Sequence, residues 1–444
     1  MQILFMEERG KPLPIETLPR DELEKIQNKR LRYTLRKAYE TTLFWHEKFD
    51  SLGIKPEDIK NKEDLQKAYR KGLELTKEDL IKRYDDLLPN YLIRTYYEEL
   101  WTSGFGGRPK RIPYTIDSYK FIEDGYKYCF NSIGVEPGDR VFVMLAPFPY
   151  ASGIHIRECI KNFDAHLLEI TMPLRPQQVL DIFNFYKPHH IWGLPTKLNE
   201  ITSQFIEMGI DPSSFKLKSL GSGSEGVTLG RKNKLSNIWK APYFDEYAST
   251  ECGIIGYQCE KGYLHIPEDR ILFSVVDLNS KELRDDEGND LITCLYKDNE
   301  EPGIFLINYS HNDITKILDD KPCACGRTTL RIAYPKRVDE VINIGGVKLY
   351  ARDIENVEEV KDYVNILTHD EKTGKEKLEV RIVTDKCFNK EITDKILNAY
   401  FSSNPPAGTF LYQVGEIIIK NVSPEELYNG LKILPGKPRR VFRM

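Results

Sequence analysis

The first segment of this sequence that could do chemistry is a glycine-rich stretch, residues 102–110, which reads Thr-Ser-Gly-Phe-Gly-Gly-Arg-Pro-Lys. Glycines let backbone N–H groups crowd around an anion, and the hydroxyl and basic side chains add further donors. The glycine spacing fits neither a Walker loop nor a dinucleotide-binding fingerprint. The stretch therefore indicates an anion site, with a basic surface hairpin as the alternative. The candidate ligands are Thr102, Ser103, Gly104, Gly106, Gly107 and Lys110.

Two acidic residues farther along the chain could bind a metal and a diol. Glu251 ends the segment 247–251 (Tyr-Ala-Ser-Thr-Glu) and offers the hard oxygen ligand that Mg²⁺ prefers, while Thr250 offers a hydroxyl to phosphate. Asp313 is an acceptor-only carboxylate, which suits two neighbouring hydroxyls. Each has a plainer alternative, a polar strand end for Glu251 and a helix cap or turn for Asp313.

Three cysteines and a histidine have the composition of a zinc site. Cys259 and His265 are separated by five residues, and Cys323 and Cys325 by one. Three thiolates and an imidazole complete a tetrahedral Zn²⁺ site and leave no open position, so we expect a structural rather than a catalytic ion. The alternative is four unrelated residues, two of them ordinary buried cysteines, and Cys252 is a spare candidate ligand.

Hydrophobic spacing predicts the elements that carry these residues. Leu31, Leu35 and Tyr39 recur at helical spacing in the first hundred residues, where Asn61 and Thr76 could cap further helices. Beyond residue 111 helical segments alternate with short apolar runs, which lie at 140–145, 190–194, 216–220 and 271–276. Strands that alternate with helices predict an α/β body.

Helix and strand signals also place the boundaries within and after this body. Asp117 is expected to cap a helix that runs through Asn131 and ends at Gly134. A second unit is expected to begin near Asp339, with strands at 364–367, 378–382 and 416–422 and a helix at 390–401. We therefore predict a large N-terminal domain, residues 1–338 (helical opening 1–100, α/β body 101–338), and a small mobile C-terminal α+β domain, residues 339–444.

Composition excludes several classes of function. Of the 444 residues 30% are charged, and the formal net charge is only −4, which gives no global reason to expect nucleic-acid or membrane binding. No apolar run is long enough for a membrane span, and Glu7 and Glu8 interrupt the apolar start, so we expect neither a membrane segment nor a secretory signal. Eight cysteines are few for this length and predict a reducing, cytoplasmic setting without a disulfide framework.

Together these motifs, in this order, resemble the acyl-adenylate-forming superfamily. The stretch 102–110 resembles its phosphate loop, although Phe105 and Gly106 replace two threonines that would touch ATP. The resemblance implies that Tyr247, Thr250 and Glu251 serve the nucleotide and Mg²⁺, and that Asp313 holds the ribose. It also assigns Gly221 to the nucleotide.

The last third of the chain carries the most specific part of this resemblance. Segment 337–348 is similar to the superfamily's hinge segment, which implies that Arg337 binds ribose or phosphate, that Asp339 is the hinge, and that Gly346 and Lys348 line the path of coenzyme A. Segment 435–437 (Pro-Gly-Lys) resembles the element that carries the adenylation lysine. Lys437 is the implied catalytic residue, with Lys432 as a competitor.

Two segments narrow the resemblance to the phenylacetate–coenzyme A ligase branch, namely 36–59 and 321–327. The implied enzyme is an AMP-forming aryl acid–coenzyme A ligase that uses ATP, Mg²⁺ and coenzyme A, contains structural Zn²⁺ and forms a homodimer. The implied acyl pocket consists of Phe148, Tyr150, Gly153, Gly223 and Tyr243.

Three alternatives remain open from the sequence. An adenylyltransferase of the same fold could move AMP onto the hydroxyl of a deazaflavin coenzyme. The altered phosphate loop is also compatible with a catalytically silent, nucleotide-binding regulator. A zinc-ribbon nucleic-acid module is the third alternative, and the near-neutral charge and the incomplete ribbon spacing argue against it.

Overall fold

The chain divides into two compact units in a computed structural model. Met1–Ser224 and Ile238–Pro335 form the first unit, and Glu225–Asn237 and Lys336–Met444 form the second. The structure describes residues 10–102, 110–145, 151–161, 163–170, 174–319, 321–344, 347–369, 376–402, 415–431 and 440–443.

The α-helices among these residues are α1 (Arg20–Thr41), α2 (Leu43–Leu52), α3 (Lys62–Arg70), α4 (Lys77–Lys82), α5 (Tyr84–Leu87), α6 (Ile116–Ile133), α7 (Ala151–Lys161), α8 (Pro176–Tyr186), α9 (Pro195–Glu207), α10 (Leu229–Trp239) and α11 (Lys390–Ser402). Short 3₁₀ helices span Pro14–Thr17, Pro56–Asp58, Asn90–Arg94, Pro212–Phe215, Val338–Glu340 and Ala351–Asn356. Within the described residues, no helix is both long and apolar enough to cross a membrane.

The strands are β1 (Tyr97–Trp101), β2 (Arg111–Thr115), β3 (Arg140–Met144), β4 (His166–Glu169), β5 (His190–Gly193), β6 (Ser219–Ser222), β7 (Tyr243–Ser249), β8 (Gly253–Gln258), β9 (Leu264–His265), β10 (Ile271–Val276), β11 (Gly288–Cys294), β12 (Asp313–Thr315), β13 (Ile317–Asp319), β14 (Arg331–Ile332), β15 (Lys336–Arg337), β16 (Val341–Ile344), β17 (Val347–Tyr350), β18 (Asp362–His369), β19 (Glu376–Val383), β20 (Gly415–Asn421) and β21 (Val441–Arg443).

One sheet of nine strands organises the first unit, in the order β13-β14-β9-β8-β7-β6-β5-β3-β4. Strands β4, β3, β5, β6 and β7 are parallel to one another, and the pairs from β7–β8 to β14–β13 are antiparallel. Buried apolar side chains fill both faces of the central strands, as expected for parallel strands covered by helices. In the same unit β1 pairs with β2, and β10, β11 and β12 pair antiparallel in that order.

In the second unit the sheet order is β20-β19-β18-β21, with β18 and β19 antiparallel and the two outer strands parallel to their neighbours. Helix α11 packs its buried Ile396 and Tyr400 into the core of this unit. A hairpin of β16 and β17 completes it. The α/β fold class is confirmed, and the second unit has the small mixed architecture that the sequence predicts.

Local sequence explains how several of these elements begin and end. Asn61 and Thr76 cap α3 and α4, because their side chains accept hydrogen bonds from the backbone N–H groups of Asp64 and Asp79. Helix α6 ends at Gly134, whose φ of 74° is left-handed. The predicted strand at 216–220 is displaced, because Pro212–Phe215 forms a 3₁₀ helix and β6 begins only at Ser219.

Candidate active site and metal centre

A buried ionic cluster lies where parallel strand β7 ends, at the edge where open α/β sheets bind ligands. Glu251 follows β7 in the turn before β8, and Lys110 immediately precedes β2. The Lys110 ammonium contacts Glu251 Oε1 and lies 3.0 Å from the Tyr309 hydroxyl. That hydroxyl donates to the same carboxylate oxygen at 3.1 Å. The Lys110 ammonium and the Tyr309 hydroxyl therefore share one acceptor, Oε1 of Glu251, and Glu251 is only 6% exposed.

The ends of the glycine-rich stretch are joined beside this cluster. Thr102 N donates to the Lys110 carbonyl at 3.1 Å, and Lys110 N donates to Thr102 Oγ1 at 3.0 Å. Both ends of the candidate phosphate loop are thus held next to Glu251. Other predicted ligands in the stretch fall outside the described residues, namely Ser103, Gly104, Gly106 and Gly107.

The electrostatics of the cluster keep Glu251 ionised. Burial on its own raises the pKa of this carboxyl, but the positive charges of Lys110 and His311 outweigh burial and lower the pKa to about 2. Glu251 therefore offers a charged oxygen at neutral pH, as a ligand of Mg²⁺ requires.

Asp290, on β11, connects the other candidate nucleotide residues. Its carboxylate accepts hydrogen bonds from the Tyr247 hydroxyl at 3.1 Å, from His311 Nδ1 at 2.8 Å and from the backbone N–H of Asp313 at 3.0 Å. Asp290 is fully buried, and Ser310 Oγ donates to it as well. The strand end that carries Asp313 is therefore fixed by a carboxylate that is itself out of solvent.

His311 is a buried cation in this arrangement. Burial alone lowers the pKa of its imidazole, but the hydrogen bond and charge of Asp290, together with Glu251, raise the pKa to about 9. Its side chain is 7% exposed, and its ring lies edge-on to Tyr309 with 4.9 Å between ring centroids. The formal charges in the site therefore cancel, with two negative side chains, Glu251 and Asp290, and two positive ones, Lys110 and His311.

Sequence reasoning did not single out Asp290, Tyr309 or His311. One signal was present for Asp290, an aspartate that opens the apolar run of β11. An aspartate is almost never fully buried unless it is paired, so its position in a buried strand predicts strong partners.

Thr250 is held through its carbonyl group. The Tyr114 hydroxyl donates to the Thr250 carbonyl and lies 2.9 Å from His155 Nε2. Burial lowers the pKa of His155 to about 3, so its ring is neutral. Because Tyr114 gives its proton to Thr250, His155 is the donor to Tyr114, which fixes the tautomer with hydrogen on Nε2.

At two of the predicted glycines, a neighbouring side chain occupies the space that a Cβ atom would need. A Cβ on Gly221, in β6, would come within 2.1 Å of the Trp192 ring, and a Cβ on Gly223 within 2.0 Å of Glu246 Oε1. Burial raises the pKa of Glu246 well above its ordinary value, and Tyr126 donates to it at 3.2 Å. Any other residue at either glycine would displace a packed side chain.

The remaining predicted site residues are distributed as follows. Tyr243 begins β7 and is 6% exposed, and Gly153 is buried in α7. In the second unit Arg337 ends β15, Asp339 lies in the 3₁₀ helix Val338–Glu340, and Lys348 lies in β17. Predictions that fall outside the described residues are Phe148, Tyr150, Gly346 and Lys437.

The predicted metal ligands come together in the first unit. One ligand atom from each of Cys259, His265, Cys323 and Cys325 lies within 4.8 Å of the others, and all four residues are buried. Tetrahedral Zn²⁺ with thiolate bonds of about 2.3 Å places its ligands about 3.8 Å apart, so small adjustments suffice to close the site. The donor set and its dimensions therefore fit zinc.

Local hydrogen bonds prepare these residues for a metal. His265 Nδ1 faces the Thr329 hydroxyl at 3.0 Å, which leaves Nε2 toward the cysteines, 3.5 Å from Cys325 Sγ. A hydrogen bond from Cys259 is the main cause that lowers the pKa of Cys325, against burial, and so favours its thiolate. Gly262 and Gly326 supply left-handed turns with φ of 83° and 90° in the two cysteine loops.

The chain is similar in sequence to known coenzyme A ligases. No family model matches the chain. The phenylacetate–coenzyme A ligase of Thermus thermophilus is 25% identical over 401 residues, covering 86% of each chain, and that of Escherichia coli is 25% identical over 370 residues, covering 80% of each.

Among solved structures, 2-hydroxyisobutyryl-CoA ligase in complex with 2-HIB-AMP superposes with a TM-score of 0.78 at 18% identity, covering 98% of this chain and 94% of that one. An anthranilate CoA ligase in complex with anthranoyl-AMP gives a TM-score of 0.53 at 17% identity, covering 73% and 64%. These similarities in sequence and fold confirm the predicted resemblance.

Proposed function

We propose that this chain, a relative of the phenylacetate–coenzyme A ligases within the acyl-adenylate-forming superfamily, is an AMP-forming acid–coenzyme A ligase. Its substrate in this proposal is a small aryl carboxylic acid. In the first half-reaction a carboxylate oxygen bonds to the α-phosphorus of ATP, and the bond between the α- and β-phosphates breaks to release pyrophosphate. In the second, the thiol of coenzyme A displaces AMP from the acyl group.

The observation that carries this proposal is the ionic cluster of Lys110, Glu251 and Tyr309 at the carboxyl edge of the parallel sheet. Glu251, ionised and buried, would hold Mg²⁺, which supplies charge neutralisation to the phosphates. Lys110 lies at the end of the glycine-rich stretch, so its ammonium can exchange Glu251 for a phosphate oxygen when nucleotide binds. Catalysis in such a site consists of positioning and electrostatic stabilisation.

Asp290 supports the proposed ribose and nucleotide contacts. Because it binds both the Tyr247 hydroxyl and the Asp313 backbone, the two side chains assigned to AMP are set by one buried carboxylate. Asp313 would then accept hydrogen bonds from the ribose hydroxyls. His311 adds a positive charge close to Glu251, where the phosphates of ATP would bring negative charge.

The remaining roles follow from the resemblance. Lys437 would neutralise charge on the α-phosphate and carboxylate during adenylation, and rotation at Asp339 would withdraw it before thioester formation. Arg337 would hold ribose or phosphate, and Gly346 and Lys348 would line the coenzyme A path. The acyl pocket would comprise Phe148, Tyr150, Gly153, Gly223 and Tyr243, with Gly221 beside the nucleotide.

A structural zinc ion at Cys259, His265, Cys323 and Cys325 is part of the proposal. Its role would be to join the loop after β8 and the loop before β14, which flank strand β9. Strand β8 begins directly after the turn that carries Glu251, so the ion would brace the hairpin on which the catalytic carboxylate depends. The enzyme would act as a cytoplasmic homodimer, which sedimentation of the purified protein tests.

Pyrophosphate release from Mg–ATP tests the proposed activity. The acids are phenylacetate, benzoate, hydroxycinnamates and short fatty acids, each with and without coenzyme A, and the variants are Lys437→Ala and Lys432→Ala. Release that depends on an aryl acid, is lost in Lys437→Ala and persists in Lys432→Ala supports the ligase and locates its lysine. Release with a deazaflavin coenzyme and no acid indicates the adenylyltransferase, and ATP binding without any release indicates the silent regulator.

A further inference from the structure

An ion pair with no solvent exposure lies next to the metal ligands. Arg327 and Glu16 are both 0% exposed, and Arg327 Nε donates to Glu16 Oε1. The Tyr257 hydroxyl donates to the same oxygen, and the Leu13 backbone N–H donates to Oε2. Glu16 is therefore fully engaged by three donors from three parts of the chain.

Arg327 is not fully engaged by this pair. A guanidinium carries five N–H donors, and the terminal nitrogens Nη1 and Nη2 of Arg327 are buried without a hydrogen-bond acceptor in good geometry among the described residues. Glu260, whose side chain is 42% exposed, lies 3.7 Å from Nη1. Arg327 lies in the same loop as two of the metal ligands: it follows Cys325 by two residues, and its carbonyl accepts the backbone N–H of Cys323 at 2.8 Å.

A metal at the four ligands gives these buried donors a function. Three thiolates and a neutral imidazole around Zn²⁺ leave a net charge of −1, which is costly to bury without a nearby positive charge. A guanidinium presents a planar, permanently charged set of donors and suits a thiolate that is already bound to a metal. Glu16 holds the guanidinium by accepting a hydrogen bond from its Nε.

Three consecutive residues join this site to the N-terminal segment, defined here as residues 10–18. Arg327 binds Glu16, Thr328 donates from its backbone to the Glu16 carbonyl at 2.8 Å and from its hydroxyl to the Leu18 carbonyl at 2.8 Å, and Thr329 faces His265. Arg327 and Thr328 thus contact the N-terminal segment, and the next residue, Thr329, contacts a metal ligand.

We propose that Arg327 and Glu16 form the outer shell of the metal centre, with Arg327 donating to the Cys325 thiolate and Glu16 holding the guanidinium in place. Metal binding and docking of the N-terminal segment then stabilise each other. This inference rests on the proposed zinc site, and Arg327 and Glu16 act in it as positioning residues.

Zinc affinity of purified variants tests the inference. Bound zinc per chain is measured first, and its release to a coloured chelator of known affinity then gives a dissociation constant. We expect Arg327→Met to bind zinc about 10- to 100-fold more weakly than the wild type. Arg327→Lys keeps the charge and Glu16→Gln keeps the shape, so we expect their zinc affinities to lie between those of the wild type and Arg327→Met. Arg30→Met is the matched control, because it removes a half-buried ion pair with Asp269 that involves none of the ligands.

A second readout follows the N-terminal segment. Trypsin cleavage after Arg20 is expected to be slow in the zinc-loaded wild type and fast after zinc removal, and fast in Glu16→Gln at subsaturating zinc. One zinc per chain with equal affinity in wild type, Arg327→Lys and Glu16→Gln would overturn the outer shell and leave the metal site standing. A wild type that binds no zinc overturns the metal site and this inference together.

Discussion

Replacing Lys110 with methionine should destabilise the first unit through Glu251. Methionine keeps much of the length and volume of lysine and removes its charge, so the buried carboxylate loses its nearest positive partner. The usual pKa of this group, 4.5, is lowered to about 2, which corresponds to about 3 kcal/mol. The side chain is only 3% exposed, so solvent screens little of this, and removing one partner of a buried pair costs about 3–5 kcal/mol.

The pH dependence has a defined sign. In the wild type a lowered pKa means that Glu251 contributes stability above pH 4.5, and that this contribution is lost as the pH falls through about 2. In Lys110→Met burial is the main remaining influence on Glu251 and raises its pKa, with the charge of His311 and a backbone hydrogen bond opposing it. The difference in free energy of unfolding between wild type and variant should therefore be largest near pH 7 and shrink toward pH 4, where the carboxyl can take up a proton.

Urea unfolding followed by tryptophan fluorescence reports the free energy of unfolding of the first unit, because all four tryptophans (45, 101, 192 and 239) belong to that unit. The double variant Lys110→Met/Glu251→Gln should recover part of the lost stability, since it removes the unpaired charge. Lys37→Met, which breaks the pair with Glu301, is the control and should cost less than about 1 kcal/mol. A double variant no more stable than Lys110→Met would refute the reasoning.

Two further predictions concern other buried carboxylates. Asp290→Asn removes the group that raises the pKa of His311 to about 9, so the wild type should lose stability as the pH rises from 6.5 through 9 and the variant should not. Urea unfolding at pH 6.5 and 9.5 measures the free energy of unfolding of both proteins. A variant that loses as much stability between these pH values as the wild type would contradict the assignment. Asp139 binds His190 at 2.9 Å and Lys218 at 2.7 Å, and its pKa is lowered against burial. Asp139→Asn should lower the free energy of unfolding, measured with urea, by about 3 kcal/mol at pH 7 and by less at pH 3. An equal loss relative to the wild type at both pH values would refute this.

Short-range signals in the sequence predicted much of the fold. Asn61 and Thr76 cap the helices expected of them, and the strands at 364–367 and 378–382 lie within β18 and β19. The cap of α6 was assigned wrongly to Asp117. Thr115 caps this helix instead, because the Asp117 carboxylate accepts the backbone N–H of Glu301, a partner 184 residues away that no local pattern contains.

The site was predictable where residue type limits the chemistry and unpredictable where tertiary partners decide it. The approach of Cys259 to Cys323 was predictable, because three thiols and an imidazole in turn-like sequence have the composition of a metal site. Asp290 and His311 were missed because their importance lies in their mutual contact, which joins β11 to the residues just before β12. The inclusion of Glu225–Asn237 in the second unit likewise depends on pairs such as Arg231 with Glu355, 3.6 Å apart.

Oxygen transfer from the acid to AMP tests the central claim most directly. A carboxylic acid labelled with ¹⁸O in its carboxylate, chosen as the one that supports the fastest pyrophosphate release, is incubated with the protein, Mg–ATP and coenzyme A. The AMP is then analysed by mass spectrometry. If a carboxylate oxygen attacks the α-phosphorus and stays behind when the thiol takes the acyl group, each AMP formed carries one ¹⁸O. Unlabelled AMP, or label in phosphate with ADP as the other product, would contradict an acyl-adenylate mechanism.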